Sequence, residues 1–165
     1  MERLEYPLVL QYAMQGDVDA LCDLTARRLK SLVGFELLTI LAPDISGTHL
    51  RRIYSTDTAG YPLGLADEIR KSPWFDQLFD NRAPIIAANT DEIAAWLPDF
   101  DGFAGIGLGS LVNYPVVVAD QTIGLLNLMD RPGSYDNETA HILEAELPLF
   151  AVTIADFHRL KSANR

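Results

Sequence analysis

Few residues in this chain have the type and spacing that metal or nucleophilic chemistry requires. The three histidines, His49, His141 and His158, lie far apart in sequence, whereas zinc needs three or four converging ligands. The single cysteine, Cys22, excludes an intramolecular disulfide, and it falls on the apolar stripe of a predicted helix, where a thiol packs as a small hydrophobe. We therefore predict neither a metal centre nor a nucleophilic cysteine.

Acid–base catalysis has two candidate groups, the loop carboxylates Asp130 and Asp136. A small enzyme that uses this pair is the function we favour least, after a ligand-binding domain and a protein-interaction module. We expect the chain to have no catalytic activity of its own.

Two amides interrupt neighbouring apolar runs, Asn113 in the first and Asn127 in the second. A buried amide is costly unless it is hydrogen-bonded, so each one either pairs with protein groups or meets a ligand. A three-residue connection between the runs would place the amides opposite each other, whereas a connection of two or four residues would not. The sequence leaves this register open.

The irregular segment 56–72 is long enough to form a lid, and several aromatic residues lie on or beside it. Pockets commonly combine aromatic walls with a few polar groups. We predict a concave site between the sheet and residues 54–74. Its expected lining is Tyr54, Tyr61, Trp74, Ser110, Asn113 and Asn127. The scarcity of Lys and Arg near these residues favours an uncharged or weakly polar ligand.

Composition restricts the class of protein. The chain has 165 residues, 48% of them apolar, with a net charge of −10, which fits one domain spanning residues 1–165 with its core at about 16–160. It has no run of 18 apolar residues and no signal-peptide pattern at its start, so we expect a cytoplasmic protein without a membrane span. The basic patches are small, which argues against nucleic acid as a partner.

The order of predicted elements indicates an α+β fold, with a central antiparallel sheet and the N- and C-terminal helices packed on one face. Asp17 caps a helix that ends at Gly34, and the segment 56–72 is predicted to be irregular. The other predicted helices span about 8–14, 73–79, 90–97 and 136–160, and the strands span 35–42, 49–55 and 84–88, followed by a hairpin within 110–129.

The last predicted helix is apolar almost all round between residues 147 and 157. A surface helix needs one apolar face, so the excess must be covered by the first helix or by a second subunit. Pro148 removes a backbone hydrogen bond, so we expect a kink there.

The hairpin carries a spaced pattern of small and apolar residues: Gly107, Ser110, Pro115, Val116, Gly124, Leu125, Leu126 and Leu128. In this pattern and in element order the chain resembles the GAF domain, a small-molecule sensing module. The resemblance implies a homodimer formed through the terminal helices and a separate output protein. The cysteines of the family's methionine sulfoxide reductases, its bilin-attachment cysteine and the lysine of its cyclic-nucleotide motif are missing here, which disfavours those three functions.

The sequence thus predicts a small-molecule-binding sensory domain whose ligand and cofactor it does not identify. The alternative is a protein-interaction module with a filled core that dimerises through its terminal helices. An open cavity under residues 54–74 distinguishes the first function from the second.

Overall fold

The computed structural model describes residues 6–98 and 107–163. The helices are α1 (Tyr6–Gln15), α2 (Val18–Leu32), α3 (Pro73–Phe75), α4 (Thr90–Trp96), α5 (Asn137–Ala145) and α6 (Leu147–Ala163). The strands are β1 (Leu37–Pro43), β2 (His49–Ser55), β3 (Gly64–Glu68), β4 (Ile85–Ala87), β5 (Ser110–Val118) and β6 (Gln121–Asp130). They form an antiparallel sheet in the order β3-β2-β1-β6-β5-β4.

The terminal helices α1, α2 and α6 cover one face of this sheet, which confirms the predicted α+β layering. Alternate residues of β1, β5 and β6 point to these helices because side chains of a strand alternate between faces. The resulting core holds Leu21, Leu29, Leu38, Ile40, Val112, Leu126, Leu128, Phe150 and Ile154, among others. No helix in the described ranges has both the length and the apolarity to span a bilayer.

Both ends of α2 lie where the sequence predicts them. The Asp17 side chain accepts a hydrogen bond of 3.0 Å from the Ala20 N–H and so caps the helix. At the other end Gly34 has a φ of +71° and donates its N–H to the Leu29 carbonyl at 3.1 Å. A residue with a side chain would be strained in this left-handed cap.

The segment 56–72 and the short helix that follows it both differ from the prediction. The segment 56–72 contains β3, which pairs with β2 although Gly60 and Pro62 precede it and Gly64 is its first residue. The short helix α3 continues into a π-helical turn, Asp76–Asp80. In each case pairing or packing with a neighbouring element outweighs the local propensity of the segment.

The predicted long C-terminal helix is two helices, α5 and α6, separated at Glu146. Pro148 lacks an N–H and clashes with a helical carbonyl four residues earlier, which explains a break just before it. The break lets the Glu146 carboxylate form an ion pair with Arg28 of α2, in which Arg28 Nε and Nη2 both donate to it. Because both side chains are largely buried, this pair fixes α2 against the end of α5.

Gly124 is needed for close packing of α6 against the hairpin. A Cβ at this position would lie 2.6 Å from Ile154 Cδ1 and 2.7 Å from the Leu41 carbonyl oxygen. The second contact is with backbone, which cannot move aside as a side chain can. The glycine of the hairpin pattern therefore has a packing role.

Cys22 provides a test of this core. The thiol is fully buried, and desolvation, reinforced by the charges of Asp19 and Asp23, raises its pKa to about 12. A thiol with a raised pKa stays protonated and unreactive through pH 9. We predict that an aromatic disulfide reagent labels Cys22 slowly in the native protein and rapidly in denaturant, and that Cys22→Ser costs about 1–3 kcal/mol of unfolding free energy. Rapid native labelling that increases between pH 7 and 9 would contradict this assignment.

Candidate functional site

The face of the sheet opposite the terminal helices carries a cavity of about 350 Å³. Its floor is formed by strands β1, β2, β5 and β6, and its wall by β3 and the start of α3. The lining combines apolar, aromatic, amide and charged side chains: Thr39, Leu41, Leu50, Arg52, Tyr61, Asp67, Glu68, Ile69, Arg70, Ser72, Trp74, Leu97, Leu111, Asn113, Asn127 and Met129. This volume lies at the lower end of the range of pockets that bind small molecules.

The register of the β5–β6 hairpin places the two amides directly opposite each other. The connection is a two-residue turn in which Ala119 and Asp120 both have positive φ values, as in a type I′ hairpin. Turn length alone would offset Asn113 from Asn127 by one residue. A bulge at Ile123 adds one residue to β6 and removes this offset. The two amides therefore face each other across a two-residue turn, and the prediction that such a turn would separate them is wrong.

Four side chains form a continuous line of hydrogen bonds across the cavity floor. Trp74 Nε1 donates to Asn113 Oδ1 at 2.9 Å. Asn113 Nδ2 then donates to Asn127 Oδ1 at 2.7 Å, and Asn127 Nδ2 donates to Thr39 Oγ1 at 3.2 Å. The line links α3 with strands β5, β6 and β1. It explains how two buried amides are tolerated in an otherwise apolar sheet.

The direction of this line is fixed by Trp74. An indole N–H can donate but cannot accept, so the oxygen of Asn113 must face it. The Asn113 amino group must then face Asn127, and the same logic orients Asn127 toward Thr39. The line ends at the Thr39 hydroxyl, whose own hydrogen has no acceptor among the described residues.

Trp74 is held in place by the start of α3. The Ser72 hydroxyl accepts a hydrogen bond of 3.1 Å from the Phe75 N–H, and Pro73 occupies the first turn, where its missing N–H costs nothing. The Trp74 ring also lies 6.4 Å from that of Phe79. This local capping aims the indole at β5.

Arg52 and Tyr61 form a second polar part of the cavity. The Arg52 guanidinium carbon lies 5.5 Å from the centre of the Tyr61 ring, and its Nη1 donates to the Pro62 carbonyl at 2.9 Å. Its Nε is buried and has no hydrogen-bond partner among the described residues. Burial raises the pKa of the Tyr61 phenol, while the nearby positive charge of Arg52 opposes that rise.

Sequence reasoning missed the charged lining of the cavity. Arg52 and Arg70 both line it, so the predicted scarcity of basic residues there is wrong, together with the argument for an uncharged ligand that rested on it. Arg52 was missed because buried and exposed side chains do not alternate regularly along β2. The available signal was its spacing of two residues from Leu50, which places both side chains on the same face of the sheet.

Two predicted lining residues lie elsewhere in the fold. Tyr54 packs on the helix face of the sheet, and its hydroxyl donates to Asp23 Oδ1 of α2 at 3.0 Å. A bulge beside Ile53 shifts the β1–β2 register and turns Tyr54 away from the cavity. Ser110 begins β5 directly before the cavity-facing Leu111, so its side chain points to the other face of the sheet. Its Oγ accepts a hydrogen bond of 3.2 Å from the Tyr135 N–H. The other four predicted residues, Tyr61, Trp74, Asn113 and Asn127, come together in the cavity.

Two of the side chains considered for chemistry, His158 and Asp136, make contacts that stabilise the fold. His158 Nε2 lies 2.9 Å from the Ile123 carbonyl, which can only accept, so the ring donates to the hairpin bulge. Asp136 caps α5 in a reciprocal pair with Thr139. The described residues contain no group of His, Cys, Asp and Glu side chains suited to a metal ion.

The amide pair provides a second test. We predict that Asn127→Leu and Asn113→Leu each lower the unfolding free energy by about 1–3 kcal/mol, because each leaves the buried polar groups that bind the amide without a hydrogen-bond partner. The double substitution should cost clearly less than the sum, since it removes both members of the pair. Urea denaturation of the wild type and the three variants measures this coupling. Strictly additive losses would show that the two amides do not interact.

Comparison with solved structures supports the fold assignment. The chain is similar to the GAF domain of a two-component sensor histidine kinase from Bacillus halodurans, with 20% identity, a TM-score of 0.65, and coverage of 87% of this chain and 97% of that one. It is also similar to the GAF domain of an Acinetobacter phosphoenolpyruvate-protein phosphotransferase, with 13% identity, a TM-score of 0.64, and coverage of 96% and 97%.

A third similar structure is the free methionine-R-sulfoxide reductase of Neisseria meningitidis in complex with its substrate. The identity is 16%, the TM-score is 0.58, and the match covers 94% of this chain and 89% of that one. No curated protein sequence matches this chain. The family model described as the GAF domain matches residues 15–155. Since that match spans most of the sequence, the chain belongs to the GAF domain family.

Proposed function

We propose that this GAF domain binds a small molecule in the cavity and relays its occupancy to the terminal helices, without catalysing a reaction. The observation that carries the proposal is the cavity itself, with an aromatic wall at Trp74 and an amide floor held in one orientation by hydrogen bonds. Such preorganised polar groups in an apolar pocket are what orients a bound ligand.

The sheet offers a direct route from the cavity to the helices. Asn127 faces the cavity, while its neighbours Leu126 and Leu128 are buried in the core shared with α2 and α6. A ligand that moves Asn127 therefore displaces residues packed against the helices. In this proposal the helices pass the signal to a separate output protein.

The absence of catalysis in this proposal rests on what the candidate groups do. Cys22 is buried with a raised pKa, and Asp136 is engaged as a helix cap. Among the described residues that line the cavity there is neither His nor Cys. Its carboxylates, Asp67 and Glu68, belong to the exposed strand β3, and Glu68 is paired with Arg70.

We also propose that the domain forms a homodimer through α1. Tyr6, Leu10 and Met14 recur every four residues and therefore form one stripe on the helix. They are 62%, 61% and 79% exposed, although α1 packs its other side on α2 and α6. A contiguous apolar stripe of this kind is typical of a protein interface. The apolar excess of α6 is largely covered within the chain, since Phe150 is 1% exposed.

Ligand binding is tested with the two tryptophans. We expect native mass spectrometry of freshly purified wild-type protein, or of protein incubated with a cell extract, to detect a bound small molecule. Trp74→Phe should lower its occupancy sharply, because it removes the donor that orients the amides. Trp96→Phe is the matched control, since Trp96 does not line the cavity. A bound mass retained equally by both variants, or no bound mass in any sample, would overturn the proposal.

The dimer is tested by analytical ultracentrifugation. Leu10→Asp should shift the sedimenting species from dimer to monomer while the circular dichroism spectrum stays native, because Leu10 is exposed in the single chain. Leu63→Asp, at a residue that is 57% exposed on the loop before β3, should leave the dimer intact. A wild-type protein that stays monomeric at high concentration would remove this part of the proposal.

A further inference from the structure

We propose that the cavity takes a ligand carrying a carboxylate, bound by Arg52 and the Thr39 hydroxyl, with an apolar or aromatic body against Tyr61 and Trp74. The inference rests on the proposed function, because it names the chemical class bound at the same site. It is carried by two hydrogen-bond donors that line one cavity and have no acceptor among the described residues.

Two other arginines of this chain show what the Nε and Nη2 edge of the Arg52 guanidinium can bind. In Arg28, Nε and Nη2 both donate to the carboxylate of Glu146. In Arg70, Nε and Nη2 lie 2.9 and 2.6 Å from Glu68 Oε2. Each of these side chains therefore presents the same edge of its guanidinium to a carboxylate, the geometry that this fork favours.

In Arg52 the Nε of the corresponding edge has no acceptor among the described residues. The Arg52 Nη1 is engaged with the Pro62 carbonyl, which fixes the plane of the guanidinium. Its Nε is buried without a partner, and no ion pair joins it to another described residue. A buried charged donor without an acceptor is costly, so an anionic ligand would gain the full strength of this interaction.

Thr39 supplies the second donor. The line from Trp74 fixes both amides and delivers a hydrogen to the Thr39 oxygen, which leaves the Thr39 hydroxyl hydrogen to be donated. Thr39 is only 2% exposed and lines the cavity, so bulk water is a poor acceptor for it. In this proposal the ligand carboxylate accepts hydrogen bonds from this hydroxyl and from Arg52.

The charges around the cavity disfavour a ligand that carries two negative charges. Glu68 and Arg70 neutralise each other at the rim, which leaves Arg52 and Asp67 among the lining residues. A carboxylate balances Arg52, whereas a phosphate dianion would bring a second negative charge near Asp67 and Glu68. The cavity volume of about 350 Å³ suits a compound of about the size of an arylalkanoic acid.

The experiment compares probes that differ in charge and hardly in shape: 3-phenylpropionate with 3-phenylpropionamide, and indole-3-acetate with indole-3-acetamide. Calorimetric titration gives the affinity of all four probes. For the two phenyl probes, which do not share the indole chromophore, Trp74 emission in the Trp96→Phe background locates the binding. We expect wild-type protein to prefer each acid over its amide by about tenfold or more, the worth of one charge-assisted hydrogen bond. Arg52→Gln should abolish that preference.

Arg51→Gln is the matched control, since it makes the same charge change at the neighbouring residue, which does not line the cavity. It should keep the preference. If Arg52→Gln does not fold, Arg52→Lys makes the comparison, because it keeps the charge but lacks the fork and should lose most of the preference.

The outcomes separate the two proposals. If acids and amides bind equally, or if Arg52→Gln keeps the preference, the carboxylate assignment is wrong, while ligand binding in the cavity stands. If neither class binds, the carboxylate assignment is wrong, and the bound mass sought by native mass spectrometry decides ligand binding separately.

Discussion

The register between β5 and β6 is the constraint on which the site depends. Side chains alternate across a strand, so a slip of one residue would turn either Asn113 or Asn127 into the helix-packed core. The bulge at Ile123 sets this register, and His158 of α6 donates a hydrogen bond of 2.9 Å to the Ile123 carbonyl. The C-terminal helix is therefore coupled to the residue that aligns the two amides in the cavity.

The two faces of the sheet have different physical characters. The helix face is a close-packed apolar core, in which Gly124 leaves no room even for a methyl group. The opposite face combines an apolar floor with an oriented polar line and an arginine whose Nε lacks a partner. Packing on one face fixes the strands, and the fixed strands hold the polar groups of the other face in place. This division suits a sensor that must recognise a ligand and transmit its presence.

The sequence predicted the elements that have strong local signals. Asp17 and Gly34 mark the ends of α2, and the alternating pattern of β5 and β6 identifies the hairpin. The exceptions arise where non-local pairing decides the outcome. β3 forms by pairing with β2. A bulge in β2 shifts its register with β1 and turns Tyr54 out of the cavity, and a separate bulge in β6 aligns the two amides. A bulge and a change of turn length have the same effect on facing residues, so the sequence could not settle the amide register.

The account is tested most directly by nuclear magnetic resonance titration of ¹⁵N-labelled protein with indole-3-acetate. Binding at the cavity predicts large shifts of the Trp74 indole N–H and of the side-chain amides of Asn113 and Asn127. The relay to the helices also predicts shifts, smaller than those in the cavity, of backbone amides in α2 near Cys22 on the far side of the sheet. Shifts confined to the helix face, or unchanged Trp74 and Asn127 signals at saturating ligand, would contradict it.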